Sequence, residues 1–257
     1  MKHRTAEIIR EFGPFPGIDD IAGVSFDRER VWFASGDRLN ALDPESGEIT
    51  GSIATAADAG TAVFYSISNC QEGLRGISFG NFLIKRVAEA LSRDLPNLKT
   101  FSTLSPIPGF KRWLGEAVAK GTPHLLKAED RKALKAATGG AFAKGEFIRL
   151  LEDPEWTEKE EVAAALKAPL MRLAARYLAQ EKGRGQLPLD PVARFHLGNG
   201  AQIEQLDWLA DLSDKGLKQS AGMMVNYLYK LSEVEKNHEG FARDGRVAMS
   251  SKIKDLL

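Results

Sequence analysis

The stretch VFYSISNCQEGLRGISFGNFLIKRVAEALSRDLPNLKTFSTLS, residues 63–105, decides the fold class. Its first six residues, 63–68, form a compact apolar run that predicts a β-strand. A glycine-bearing turn follows, and then a predicted helix begins near Asn81, a plausible N-cap. Apolar side chains recur in this helix at helical spacing and are predicted to face the core: Leu83, Val87 and Leu91. A second strand is predicted over 98–103. Strand, turn, helix and strand in this order predict an α/β unit.

The turn over 71–81 has the composition of an anion-binding loop. Glycines at 73, 76 and 80 let the backbone approach a ligand closely. The helix that follows presents unpaired N–H groups and the positive end of its dipole. Glycine-rich turns are also common without any ligand. The residues alone leave these two interpretations equally open.

The run FSTLSPIPGFKRWL, residues 101–114, places Ser105 directly before two closely spaced prolines. Each proline fixes its own φ and keeps the preceding residue out of the helical region. The sequence therefore predicts a stiff, extended loop over 104–109 that holds the Ser105 hydroxyl in place. The alternative is an ordinary serine in a turn that ends a strand.

Composition excludes several classes of function. The chain has 257 residues and balances 35 basic against 35 acidic side chains, so its overall charge does not favour nucleic acid or an anionic membrane. Its one cysteine, Cys70, excludes an internal disulfide framework. The four histidines are widely separated, so we expect no metal site. With no apolar signal region and no run long enough for a membrane span, we expect a cytoplasmic protein.

The first 62 residues follow a different pattern. VSFDRERVWFASGDRLNALDPESGEITGSIA, residues 24–54, alternates like sheet and has a turn signal at 43–47, which predicts a β-meander. It resembles one blade of a β-propeller, but no second copy follows. Residues 54–62 are rich in glycine and alanine and predict a connection.

The remainder predicts helices and then a short loop. Residues 115–183 are alanine-rich and predicted to be helical, with an apolar stripe for packing: Leu166, Leu170, Leu173 and Tyr177. We expect Pro188 and Pro191 to break the helix and a loop to carry His196. Taken alone, His196 is more often a structural histidine than a catalytic one. Met223, Met224, Tyr227 and Tyr229 are expected to pack in the core.

Five segments together resemble one family: FYSISNCQEGLRGISFGNFLIKRVAEAL, FSTLSPIPGFKRWL, APLMRLAARYL, DPVARFHLGNGA and GMMVNYLY. In this order, from residue 63 to the C-terminus, they are similar to the catalytic part of malonyl-CoA decarboxylase. The resemblance implies a GNAT acyltransferase-like mixed sheet flanked by helices. It implies a lyase of fatty acid metabolism that converts malonyl-CoA to acetyl-CoA and CO2 through an enolate, without metal, biotin or another cofactor.

The same resemblance implies particular site residues. Ser105 and His196 correspond to the catalytic pair, and His196, with an ordinary pKa near ~6.5, is expected to donate a proton close to neutral pH. Asn226 is expected to orient His196. The coenzyme A pyrophosphate is expected to bind the residues that fill the family's R/Q-x-x-G-x-G position: Arg75, Gly76, Ile77, Ser78, Phe79, Gly80 and Asn81. Ser78 stands where the general pattern has its first glycine.

The chain departs from the family at its N-terminal side. The long helical assembly domain and the first strands of the acyltransferase sheet have no counterpart before residue 63. We therefore expect a composite of a foreign β segment, residues 1–62, and a catalytic domain, residues 63–257, with homo-oligomer formation weakened. Two alternatives to an active decarboxylase stay open: a protein that binds coenzyme A without turnover, and a fusion that folds poorly. An acetyltransferase is a weaker alternative, because the sequence indicates no site for an amine acceptor.

Overall fold

The computed structural model describes residues 24–26, 31–35, 38–43, 45–54, 59–65, 83–140, 142 and 145–257. These residues belong to two compact units, one within 1–60 and 92–99, the other within 61–91 and 100–257. The predicted cradle at 75–81 and Cys70 lie outside the described residues.

The first unit contains a small antiparallel sheet in sequential order, which is the predicted β-meander. Its strands are β1 Val24–Phe26, β2 Val31–Ser35, β3 Arg38–Leu42 and β4 Ile49–Ala54. The turn between β3 and β4 is closed by Asp43, whose Oδ1 accepts the backbone N–H groups of Glu45 and Ser46 at 2.8 and 2.7 Å. This is the side-chain turn that the 43–47 signal predicts. The separate origin of 1–62 stays a prediction.

The second unit is built on a mixed sheet whose order is β5-β6-β8-β7. Its strands are β5 Thr61–Tyr65, β6 Thr100–Pro106, β7 Gln202–Asp207 and β8 Met224–Leu228. β5 and β6 run parallel, whereas β8 pairs antiparallel with both β6 and β7. The predicted mixed α/β architecture is therefore confirmed.

Helices flank this sheet and include the alanine-rich middle of the chain. Their bounds are α1 Leu83–Asp94, α2 Phe110–Ala119, α3 Ala128–Ala137, α4 Glu146–Glu152, α5 Glu160–Ala179, α6 Pro191–Gly198, α7 Asp214–Ser220, α8 Val234–Asp244 and α9 Ser251–Lys254. The stripe predicted on α5 is fully buried, as expected for core packing. Among the described residues, no helix combines the length and the apolar character that a membrane span needs.

The buried face of α1 differs from the prediction. Val87, expected in the core, is 40% exposed, whereas Ile84 and Ala88 are buried. Ile84 and Ala88 are four residues apart, so they lie on the same face of α1. This face is offset by one residue from the face that carries Val87. Both stripes have helical spacing, and the sequence pattern alone does not choose between them.

Candidate active site

Ser105 lies in a strand, not in the loop predicted over 104–109. β6 continues through Pro106, whose lack of an N–H is tolerated at a strand end. Burial alternates along β6, so that Phe101, Thr103 and Ser105 share the inner face. The Thr103 and Ser105 hydroxyl oxygens lie 2.9 Å apart. Strand geometry, together with this contact, fixes the Ser105 hydroxyl.

Thr103 is itself held by the neighbouring strand. The backbone N–H of Tyr227 donates to the Thr103 hydroxyl at 3.2 Å. The side-chain amide of Asn226 donates to the Thr103 carbonyl at 2.8 Å. The expectation that Asn226 orients His196 is therefore wrong, because the amide donates to the backbone of β6 instead.

His196 lies in a helix, not in the predicted loop. Asp190 caps the N-terminus of α6 by accepting the Ala193 N–H at 2.8 Å, and Pro191 occupies the first turn. Proline suits that position because its missing N–H has no partner there anyway. Pro191 therefore starts a helix, whereas the sequence predicts only that it ends one, and His196 lies in the last turn of α6.

The structure brings together the two residues predicted from distant parts of the sequence. Ser105 Oγ lies 3.2 Å from His196 Nε2, although the residues are separated by 91 positions. Both are buried, with Ser105 5% and His196 3% exposed. Their predicted convergence is confirmed, whereas their catalytic roles stay a prediction.

Two tyrosines from the end of β8 hold the imidazole ring. The Tyr229 hydroxyl lies 2.8 Å from His196 Nδ1. Tyr227 stacks on the ring, with centroids 4.4 Å apart and planes 21° from parallel. The Tyr229 N–H donates to the Phe101 carbonyl at 2.8 Å and so extends the pairing with β6.

Sequence reasoning placed these tyrosines in the core and missed their contact with His196. The available signal was their spacing of two residues, which puts both rings on one face of a strand. A buried tyrosine hydroxyl also usually finds a partner.

Burial sets the charge state of the site. It lowers the pKa of His196 to about 4, so the imidazole is neutral at pH 7. The expectation of a histidine that titrates near neutrality is therefore corrected. Burial also raises the pKa of Tyr229, which stays protonated.

The proton positions follow from these charge states. The Tyr229 hydroxyl contacts no other acceptor among the described residues, so we assign it as the donor to Nδ1. Nε2 then carries the imidazole proton and faces Ser105.

A cavity of about 510 Å³ opens onto Ser105 and His196. Pro106 and Met224 contribute to its wall, and the segment that enters α7 contributes its polar side. This volume lies within the usual range for small-molecule sites. The two buried polar side chains therefore face a space that can hold the reacting end of a ligand.

Fold and site together define an α/β protein with a preassembled serine–histidine pair at a ligand-sized cavity. The model of the malonyl-CoA decarboxylase C-terminal domain matches residues 39–257. The chain belongs to the malonyl-CoA decarboxylase family.

Two similar proteins are mitochondrial malonyl-CoA decarboxylases of the goose Anser anser anser and of Rattus norvegicus. They are 41% and 43% identical over 202 and 201 residues, which are 77% and 76% of this chain. The chain spans about 40% of the length of each. Because these relatives are named as mitochondrial, the cytoplasmic location expected for this chain stays a prediction.

Two solved structures of malonyl-CoA decarboxylases are also similar. The protein from Rhodopseudomonas palustris has a TM-score of 0.70 and 41% identity, and the match covers 89% of this chain and 53% of that one. The protein from Agrobacterium vitis has a TM-score of 0.68 and 44% identity, with coverage of 89% and 57%.

Proposed function

We propose that this chain decarboxylates malonyl-CoA to acetyl-CoA and CO2 through an enolate, at the site formed by Ser105 and His196. The hydrogen-bonded line from Ser105 through His196 to Tyr229, at the wall of the cavity, carries the proposal. Family membership supports the same substrate, because the relatives described above are named as malonyl-CoA decarboxylases.

The site offers two neutral donors to one developing negative charge. Loss of CO2 from a malonyl thioester leaves its electron pair delocalised onto the thioester oxygen. In this proposal, the Nε2–H of His196 is shared between Ser105 Oγ and that oxygen, and the Ser105 hydroxyl donates to the same oxygen. Donors fixed in advance at a buried site stabilise such an oxyanion strongly, and loss of one costs about 100- to 1000-fold in kcat.

A neutral histidine suits this task. An imidazolium in contact with the substrate carboxylate would stabilise the ground state, which opposes the reaction. The carbon–carbon bond breaks, CO2 leaves, and the α-carbon takes up one proton. We propose that this proton comes from Nε2 or through the Ser105 hydroxyl and is restored from water in the cavity. The scheme uses side chains alone, with no metal or biotin.

The residues proposed to hold coenzyme A follow β5. Tyr65, the last residue of β5, pairs with Leu104, so the chain leaves β5 beside Ser105. The proposed cradle, 75–81, lies between this point and the start of α1 at Leu83. This order supports a GNAT-like arrangement in which the thioester reaches the serine–histidine pair from the β5 side.

The test is to incubate the purified chain with malonyl-CoA and to follow acetyl-CoA by mass spectrometry. His196→Asn is the informative variant. His124→Asn is its matched control, because His124 is exposed and lines a different cavity. Its φ of 60° also suits asparagine. We expect turnover in the wild type and in His124→Asn, and at least about a 100-fold loss in His196→Asn.

Two other outcomes have definite meanings. Equal rates in both variants would remove His196 from the mechanism. Binding of coenzyme A esters with no acetyl-CoA formed would establish the alternative, a binding protein without turnover.

A further inference from the structure

Apart from His196, two side chains with ionisable groups line the cavity beside the serine–histidine pair in the described part of the chain. They are Asp211 and Lys215, both from the segment that leads into and forms α7. A malonyl group differs from the acetyl product by one free carboxylate. The charge of the cavity wall therefore bears directly on which acyl group is accepted.

Asp211 is committed to the structure of the wall. Its Oδ1 accepts the Ser213 N–H at 3.1 Å and the Ser213 hydroxyl at 2.6 Å. A Cβ added at Gly216 would lie 2.3 Å from Asp211 Cγ, so the carboxylate is packed against the first turn of α7. These contacts hold Asp211 in the turn.

Lys215 is placed differently. Its side chain is exposed, and no ion pair joins it to a carboxylate among the described residues. It lines both the serine–histidine cavity and an adjoining cavity of about 430 Å³. An ammonium on a flexible stem can therefore reach an anion in the first cavity without first breaking an internal ion pair.

We propose that Lys215 is a specificity-determining residue that selects acyl thioesters bearing a free carboxylate. The inference rests on the proposed function and adds to it the group that recognises the carboxylate. The negative charge leaves the acyl group as CO2 departs, so the ion pair is stronger in the bound substrate than in the transition state. Removing Lys215 is therefore expected to raise KM and to leave kcat unchanged or slightly higher.

The test compares two esters of equal acyl length that the proposed chemistry does not consume. Succinyl-CoA carries a terminal carboxylate, and butyryl-CoA ends in a methyl group. Their dissociation constants are measured by calorimetry at low salt for the wild type, Lys215→Gln and Lys218→Gln. Lys218 lies on the same helix and lines the neighbouring cavities but not the serine–histidine cavity, so it controls for the lost charge.

We expect Lys215→Gln to weaken succinyl-CoA binding by about five- to tenfold and to leave butyryl-CoA unchanged, with the difference shrinking at high salt. Lys218→Gln is expected to preserve the wild-type ratio, and Lys215→Arg to restore it. With malonyl-CoA, Lys215→Gln should raise KM without lowering kcat.

Each contrary result is distinct. Equal weakening of both esters by Lys215→Gln would assign Lys215 to the common coenzyme A part and overturn the inference. An unchanged ratio, or the same loss in Lys218→Gln, would also overturn it. Absence of binding of both esters to the wild type, together with no acetyl-CoA formed from malonyl-CoA, would refute the proposed function itself, and the inference with it.

Discussion

Lowering the pH from 7.5 to 4.5 is expected to destabilise the protein through His196 alone by about 2.5 kcal/mol. The native pKa of about 4 lies below the unfolded value near 6.5. Between these values the unfolded chain binds a proton that the native site excludes. The destabilisation caused by His196 is therefore absent above pH 7, grows as the pH falls, and levels off below pH 4. It is a loss of stability on the acid side.

The assay is urea unfolding followed by circular dichroism at several pH values, for the wild type and for His196→Asn. Other groups also titrate in this range, so the informative quantity is the difference between the two pH profiles. That difference should change by about 2.5 kcal/mol between pH 7.5 and 4.5, because only the wild type has the buried imidazole.

Parallel pH profiles for the wild type and His196→Asn would refute the reasoning. They would mean that His196 binds a proton equally well in the native and unfolded states, so that burial does not lower its pKa. The neutral state of the imidazole also has a kinetic signature. We expect kcat/KM to fall only as the pH drops through the native pKa of about 4, because the neutral imidazole is the active form. An essential imidazolium would instead make kcat/KM fall as the pH rises above that value.

Three further substitutions test the supports of the site. Tyr229→Phe removes the hydroxyl 2.8 Å from His196 Nδ1 and should cost about 1–3 kcal/mol in unfolding free energy and about 10- to 100-fold in kcat; unchanged kcat would contradict the tautomer assignment. Thr103→Val removes the hydroxyl that contacts the site serine, and we expect kcat to fall about tenfold in steady-state assays while the KM for malonyl-CoA stays constant. Gly200→Ala should lower the unfolding free energy by about 2 to 4 kcal/mol in urea titrations. The backbone has φ +82° at this position, and the new Cβ would lie 2.2 Å from the Val234 carbonyl oxygen. An unchanged unfolding free energy would show that α8 can move away.

The sequence was sufficient for the class of fold and for the two central side chains. Alternation and turn signals identified the meander, and the strand–turn–helix–strand order identified the mixed α/β unit. Ser105 and His196 were singled out from their flanking motifs, and their contact at 3.2 Å is what the resemblance implies.

What the sequence could not supply was the environment of each residue. The pKa of His196 depends on burial by neighbours that are far away in the chain. Asp190 and Pro191 do signal the start of the helix that carries His196, but a proline that follows a predicted helix equally indicates the end of that helix. Similarly, one face of α1 looked as suitable for the core as another until packing chose Ile84 over Val87. Long-range packing decided the pKa of His196 and the buried face of α1.

The placement of Tyr227 and Tyr229 two residues apart at the end of β8 has a consequence for misfolded chains. A shift of that strand by one position would turn both rings away and present Asn226 and Leu228 to the imidazole instead. Chains with faulty pairing would then lose both supports of the imidazole, the Tyr227 stacking and the Nδ1 contact, in the same event.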